Sequence, residues 1–249
     1  MLIGLFVCVV VACVRGDVYE SMYSVQPALL KDPTLIQAAC YQNYHTVPPG
    51  YDYQLCSDPV SSSIFIAFAI HGGKIEPQTS ELTRDMAIDP LDSNGTWGTY
   101  YFEGLRPSNN SALHVTATHF DDPTLLGMIY DSSLTNTSTK WCVSNHGYSY
   151  DDVSICVGGD SQSLRDNTIA ALELAYPDII VYDGSTAPEC KSLSGISSDN
   201  IVNRCFQGLQ LEMSTGLRER FAESATYRKS FAQLIRSVVI LTAMQDNKL

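Results

Sequence analysis

The run Ile64-Phe-Ile-Ala-Phe-Ala-Ile70 constrains this chain more than any other segment. It is apolar at every position and rich in β-branched and aromatic residues. Nothing in it alternates with polar residues, so it predicts a strand buried on both faces of a sheet. The run ends in His71, and Glu76 follows five residues later. A second segment, Gly208-Leu-Gln-Leu-Glu-Met-Ser-Thr-Gly-Leu-Arg218, places Glu212 between apolar neighbours in the same way. A buried strand that opens into ionisable groups at its end is where α/β enzymes put their sites.

Further strand-like runs occur at 98–103, 113–119, 141–145, 153–157 and 178–182, with the second segment supplying one at 208–213. Helical patterns lie between and after them. One begins near Pro77 and runs through Leu82 and Met86. Another spans about 161–175, with Asp160 able to cap it, Leu164, Ile169, Leu172 and Ala175 on one stripe, and Pro177 after its end. The stretch 216–244 reads as one or two helices, with Phe231, Leu234, Ile235, Val238 and Leu241 in a stripe. Lys229 and Arg236 interrupt it, which argues against a membrane span. Strands alternating with helices predict an α/β fold with a mixed, mainly parallel sheet flanked by helices.

Residues 1–16 read as a signal peptide, apolar from Leu2 to Val14 and closing on Val14-Arg15-Gly16, although a basic n-region is missing. The alternative is an uncleaved N-terminal anchor. Residues 17–63, with Pro27, Pro33, Pro48 and Pro49 and many tyrosines, read as an irregular arm stapled by Cys40 and Cys56. Residues 64–249 then form the catalytic domain. Beyond residue 16 six cysteines remain: Cys40, Cys56, Cys142, Cys156, Cys190 and Cys205. In a secreted chain they predict three disulfides, with fifteen connectivities open. The short gaps favour pairing of neighbours: 40–56, 142–156 and 190–205. Sequons at Asn94, Asn109 and Asn136 suggest glycosylated loops. A formal charge of −12 excludes nucleic acid and anionic membranes as partners through the overall field.

Five histidines are present, His45, His71, His114, His119 and His146. His71, His119 and His146 each close an apolar run. A single strand-end histidine is more often a hydrogen-bonded structural residue. Three of them beside Glu76 form a ligand set for a catalytic zinc with an open position. No Gly-x-Ser-x-Gly elbow or Gly-rich phosphate loop is present, and the cysteines are expected to be oxidised.

His-Gly-Gly-x-Ile-Glu-x-x-Thr-Ser-Glu-Leu at 71–82 resembles the signature of the poly-γ-glutamate hydrolase family, also called phage-type replication-related proteins. Tyr-Tyr-Phe-Glu-Gly at 100–104, Leu-His-Val-Thr-Ala-Thr-His-Phe-Asp-Asp-Pro at 113–123, His146-Gly147, Val157-Gly-Gly-Asp160, Asn200-Ile-Val-Asn-Arg204 and Gly208–Arg218 resemble its later blocks, in order. That family is similar in fold to zinc carboxypeptidases. The resemblance implies a zinc held by His71, Glu76 and His146, with His119 as the alternative third ligand. The carboxypeptidase spacing is His-x-x-Glu, whereas four residues intervene here, so the Gly-Gly turn must bring Glu76 back. Otherwise Glu76 is a helix N-terminal carboxylate beside Pro77.

By the same resemblance Glu212 is the general base, with a buried ion pair to Arg218 or Arg204 as the structural alternative. Asn203-Arg204 resembles the pair that holds a substrate carboxylate, a role suited to the planar guanidinium fork. Arg218 is a second candidate for that role. His119, in a His-Phe-Asp-Asp sequence similar to a zinc deacetylase motif that has Pro in place of Phe, is read as a substrate contact.

The resulting expectation is a secreted, monomeric zinc amidohydrolase with a γ-glutamyl polymer or peptide as substrate, bound to neither nucleic acid nor membrane. Two rivals are a zinc carboxypeptidase or deacylase for another carboxylate-bearing substrate, and a non-catalytic binding protein on the same fold.

Overall fold

The computed structural model describes residues 36–41, 43–87, 97–130 and 138–246. Eight strands form one sheet: β1 (Gln37–Ala38), β2 (Tyr53–Asp58), β3 (Phe65–Gly73), β4 (Gly98–Gly104), β5 (Trp141–Tyr148), β6 (Ser154–Gly158), β7 (Ile180–Asp183) and β8 (Gln207–Ser214). Their spatial order is β1-β2-β4-β3-β5-β8-β6-β7. Five of the seven pairings are parallel, and β2–β4 and β8–β6 are antiparallel. In the centre, β4, β3, β5 and β8 run the same way, so β3, β5 and β8 deliver their last residues to one edge. The helices are α1 (Thr79–Ala87), α2 (Pro123–Ile129), α3 (Gln162–Ala175), α4 (Thr215–Glu223) and α5 (Ala225–Gln245).

The alternation hidden in β3 divides the core in two. Phe65 and Ala67 pack with Val143, Leu209 and Leu211 against the apolar stripes of α1, α3, α4 and α5. Ile66, Phe68 and Ile70 face the other way, onto Leu113, Val115, Phe120, Leu125 and Ile201. Each fully buried side chain of this size contributes about 1.5–3 kcal/mol. Both faces are therefore covered, as the unbroken apolar run predicts.

Several boundaries differ from expectation. The 113–119 run is not a strand. It forms 3-10 turns at Asn110–Leu113 and Ala117–His119, and its alternating Leu113 and Val115 are buried against the outside of the sheet. The arm is less irregular than its composition suggests, because β2 pairs antiparallel along the whole of its length with β4. α1 starts at Thr79, two residues past Pro77, because Gln78 takes a left-handed conformation. Ser161, not Asp160, caps α3, accepting from Leu164 N–H. Ser224 separates α4 from α5. Among the described residues no helix is long and apolar enough to cross a membrane. The signal-peptide reading and the sequons at Asn94 and Asn136 lie outside the described residues, whereas Asn109 is exposed.

Cys40 pairs with Cys56 as expected, but the other two bridges are Cys142–Cys205 and Cys156–Cys190. Neighbour pairing fails for a topological reason: β8 lies between β5, which carries Cys142, and β6, which carries Cys156. Instead, the segment 190–205 runs over β8 and is tied at one end to β6 and at the other to β5. Digestion without reductant should yield the 142–205 and 156–190 linked peptides, and no described thiol should alkylate before reduction. A 142–156 peptide would contradict the sheet order. Removing the 142–205 bridge should lower the unfolding free energy by about 2–5 kcal/mol in denaturant titrations.

Candidate metal centre

β3 brings His71 to the site by breaking its own alternation. Ile70 faces the Val115 side, so a regular strand would send His71 to the opposite face. The register against β4 shifts between Ala69 and Gly72, and such a bulge re-aims a side chain. His71 is accordingly turned towards Val115, with Nε2 at 2.8 Å from the Val115 carbonyl. A carbonyl only accepts, so Nε2 carries a proton.

The Gly-Gly turn then folds Glu76 back. Its N–H donates to the His71 carbonyl at 2.8 Å. Gly73 stands at φ +64°, and a Cβ there would lie 2.6 Å from the Gly104 carbonyl oxygen. Only glycine fits this turn. Glu76 Oε1 thereby reaches 3.0 Å from His71 Nδ1, and Oε2 accepts from Gly147 N–H at 2.8 Å. His146, the last fully enclosed residue of β5, places Nδ1 at 3.1 Å from His71 Nδ1, with Nε2 at 2.6 Å from Ser144 Oγ.

One ligand atom from each of His71, Glu76 and His146 lies within 4.8 Å of the others. Their chemistry fits a cation. His71 has its proton on Nε2, so as a neutral ring it turns an electron pair from Nδ1 towards the carboxylate and His146 Nδ1. With His146 protonated at Nε2 towards Ser144, the three facing atoms are all electron-pair donors, and a positive charge among them would hold them together. A proton serves one pair, whereas a divalent metal serves all three. The Val115 carbonyl fixes the tautomer of His71, and the Ser144 hydroxyl, which can donate or accept, fixes the direction of the His146 ring, as outer partners of metal ligands do. Burial and the neighbouring His71 push His146 down to about 3, against the pull of Glu76, so it is neutral. Burial opposes ionisation of Glu76, but a protonated His71, through its charge and a hydrogen bond from Nδ1, outweighs it and holds the carboxyl at about 2, so this carboxylate is paired with a positive charge among the histidines. Neutral imidazole and ionised carboxylate are the forms that bind metal.

Glu212 stands opposite His146 in the β5–β8 register and lines the same cavity, of about 380 Å³. Burial, then the charge of Glu76, raise its pKa well above the usual carboxylate range; Arg218 and a hydrogen bond from Gln210 oppose this. A cation on the histidine cluster would favour the carboxylate again.

The other sequence candidates lie elsewhere. Arg218 is buried, and its guanidinium donates to the carbonyls of Met213, Pro77 and Tyr148 and to Thr215 Oγ1, bracing β5, β8 and the turn before α1. Asn203 donates to the Gly195 and Ser197 carbonyls and accepts from Asp160 N–H. His119 and Arg204 line a neighbouring depression of about 350 Å³, which meets the cavity at Thr118. Arg204 is exposed there, with Nη2 at 3.4 Å from Asp199 Oδ1.

Two cavity residues escaped the sequence reading. His114 stacks on His71 with ring centroids 3.9 Å apart, and its Nε2 is 3.9 Å from Glu76 Oε1. A strand over 113–119 would have ended in His119; with 3-10 turns it is His114 that meets the site. Gln210 lies on the Glu212 face of β8, which the two-residue spacing alone could have revealed.

The poly-gamma-glutamate hydrolase family model matches residues 41–237. The chain belongs to the poly-gamma-glutamate hydrolase family. Among Bacillus subtilis (strain 168) relatives, the UPF0714 protein YndL is 33% identical over 185 residues, which are 72% of this chain and 65% of YndL. The match thus spans less than two thirds of YndL's length. The UPF0714 protein YmaC is 28% identical over 211 residues, 83% of this chain and 80% of YmaC. The solved structure of a bacteriophage poly-gamma-glutamate hydrolase superposes with a TM-score of 0.65 at 26% identity, covering 93% of this chain and 98% of that one. Zinc-free apo YndL superposes with a TM-score of 0.63 at 27% identity, over 94% and 100%. The sheet flanked by helices is therefore the family fold, which is zinc carboxypeptidase-like. All four residues of the His71, Glu76, His146 and Glu212 cavity fall within the matched range.

If these three ligands hold the ion, the purified chain should take up about one divalent metal, and His71→Ala or His146→Ala should lose most of it in a calorimetric titration. His119→Ala should bind like the parent. Loss in His119→Ala with retention in His146→Ala would contradict the geometry.

Proposed function

We propose that this chain is a secreted zinc-dependent amidohydrolase that cleaves γ-glutamyl amide bonds. The convergence of His71, Glu76 and His146 on one point, with Glu212 in the same cavity of a poly-gamma-glutamate hydrolase family member, carries this reading. Zinc suits two imidazoles and a carboxylate. When bound, it supplies a Lewis acid that polarises an amide carbonyl and lets water act as nucleophile near neutral pH.

The chain's own residues supply the rest. Glu212 takes a proton from the attacking water and passes it to the leaving amine nitrogen. Gly147 N–H holds Glu76 Oε2 and so fixes the carboxylate beside His71 and His146, with which it would hold the ion. Thr116, Thr118, Ser194 and Ser197 line the cavity with small polar groups that can hydrogen-bond an amide backbone. His119 and Arg204, one depression away, are placed for a more distant part of a polymer rather than for the reacting bond. Asn203 and Arg218, first read as substrate contacts, serve this site by bracing its walls.

Secretion is supported by the apolar leader at 1–16 and by three disulfides. The organisation we propose is a leader at 1–16, an arm at 17–63 and a catalytic domain at 64–249, with the arm's β2 completing the catalytic sheet. The second reading, a zinc carboxypeptidase or deacylase of another carboxylate-bearing substrate with fewer anionic groups than a γ-glutamyl polymer, is favoured by one observation. No Arg or Lys is among the described residues lining the cavity.

A zinc-loaded sample incubated with poly-γ-glutamate should release shorter products. Glu212→Gln, which keeps size and most hydrogen bonding, should lower turnover by roughly 10²-fold or more while zinc content stays unchanged. Turnover of Glu212→Gln at the parent rate would remove Glu212 from the mechanism. Binding of the polymer by the parent without cleavage, zinc being present, would make the chain a binding protein.

A further inference from the structure

Gln210 precedes Glu212 by two residues on β8, lines the cavity and is 3% exposed. Its amide makes three hydrogen bonds. Nε2 donates to Glu212 Oε1 at 3.0 Å and to the Leu193 carbonyl at 3.2 Å. Oε1 accepts from Asn200 Nδ2 at 2.7 Å. A carboxamide has two N–H donors, and both are occupied, so Gln210 has none left for a substrate.

The direction of this amide is fixed from both sides. The Leu193 carbonyl can only accept. Asn200 is itself oriented by the backbone, because its Oδ1 accepts from Val202 N–H at 3.1 Å and so turns Nδ2 towards Gln210. The reversed amide would set oxygen against oxygen at Glu212 unless that carboxyl were protonated. Gly195, at φ +62°, closes over the amide, and a Cβ there would lie 2.6 Å from Gln210 Cδ. Leu193, Gly195 and Asn200 all belong to the segment that the 156–190 and 142–205 bridges tie across β8.

We propose that Gln210 is a positioning residue: oriented by Asn200 and the stapled 190–205 segment, it presents a donor to Glu212 Oε1 and so holds the carboxylate as an acceptor facing the cavity. This rests on the reading of Glu212 as the base. A bond donated to one carboxylate oxygen fixes the rotation of the group and leaves Oε2 to accept a proton.

The test compares Gln210→Leu, Asn200→Ala and Asn200→Asp for zinc content, kcat and KM on poly-γ-glutamate, and follows the Gln210 side-chain amide protons by NMR exchange. Gln210→Leu and Asn200→Ala should keep their zinc and a KM near the parent's, with kcat lower by about 10–100-fold. Asn200→Asp should be slower than Asn200→Ala. Its carboxylate would present an acceptor to Gln210 Oε1 and turn the amide over. A merely structural role predicts the opposite order, since aspartate is nearly isosteric with asparagine, and that order would overturn the proposal. In the parent the Gln210 amide protons should exchange slowly, and Asn200→Ala should speed their exchange. Fast exchange in the parent would overturn the proposal by itself. A parent that cleaves no γ-glutamyl polymer would sink the functional reading, and the exchange measurement would still decide whether the amide is held.

Discussion

Three electron-pair donors aimed at one another are the constraint around which this sheet edge is built. His71 Nδ1 stands 3.0 Å from Glu76 Oε1 and 3.1 Å from His146 Nδ1. What holds them is backbone: a bulge in β3, a glycine turn that only one conformation closes, and Gly147 N–H gripping the far oxygen of Glu76. Each of these depends on β3 and β5 being parallel neighbours, and the β5–β8 register then sets Glu212 beside His146. A cation bound among these atoms would hold the three donors together. Ion binding and the stability of this edge are therefore linked, in the sense that any ligand of the native state stabilises it.

The residues of that edge were legible because strand-end chemistry leaves a strong trace in sequence. An apolar run that stops at a histidine marks a strand end, which picks out His71 and His146, while Glu212 stands out as a carboxyl between the apolar neighbours of β8. Glu76 was harder, because its role depends on a turn whose path needs the Gly104 carbonyl, thirty residues away. Local pattern misled where burial came from outside the sheet. Leu113 and Val115 alternate like a strand but are buried as a lid on its face, and a strand over 113–119 directs attention to its end, His119, and gives His114 no role. β2 was obscured by the prolines and tyrosines around it, although its pairing with β4 is regular.

The disulfides show a different limit. Gap lengths favour pairing of near neighbours because short loops close most readily. Sheet order overrides this, since β8, the last strand in sequence, inserts between β5 and β6. No local feature of residues 142–156 announces that insertion. Its consequence is functional: the two bridges span the strand that carries Glu212, and the segment between Cys190 and Cys205 becomes a fixed wall of the cavity. An exposed loop of small polar residues would otherwise be among the most mobile parts of the fold. Tied at both ends, it can orient Asn200 and, through it, Gln210.

Charge sets the remaining problem, since on the proposed function a chain of −12 would receive a polymer that is also anionic. Two of the chain's carboxyl groups, Glu76 and Glu212, lie within the cavity, and no Arg or Lys among the described lining residues offsets them. Arg218 is near enough to act on both, yet its donors are occupied by carbonyls and Thr215. The ion held by the histidine cluster would therefore be the principal positive charge of the site. It would offset Glu76 and Glu212 as well as polarise the reacting carbonyl. On this view the absence of Arg and Lys from the described lining is a selective feature. The cavity is shaped for the amide, and side-chain carboxylates of a γ-linked polymer would be better placed outside it, towards the depression where Arg204 is exposed. Recognition of the anionic groups would then be separated in space from hydrolysis, which spares the buried site a further unpaired charge.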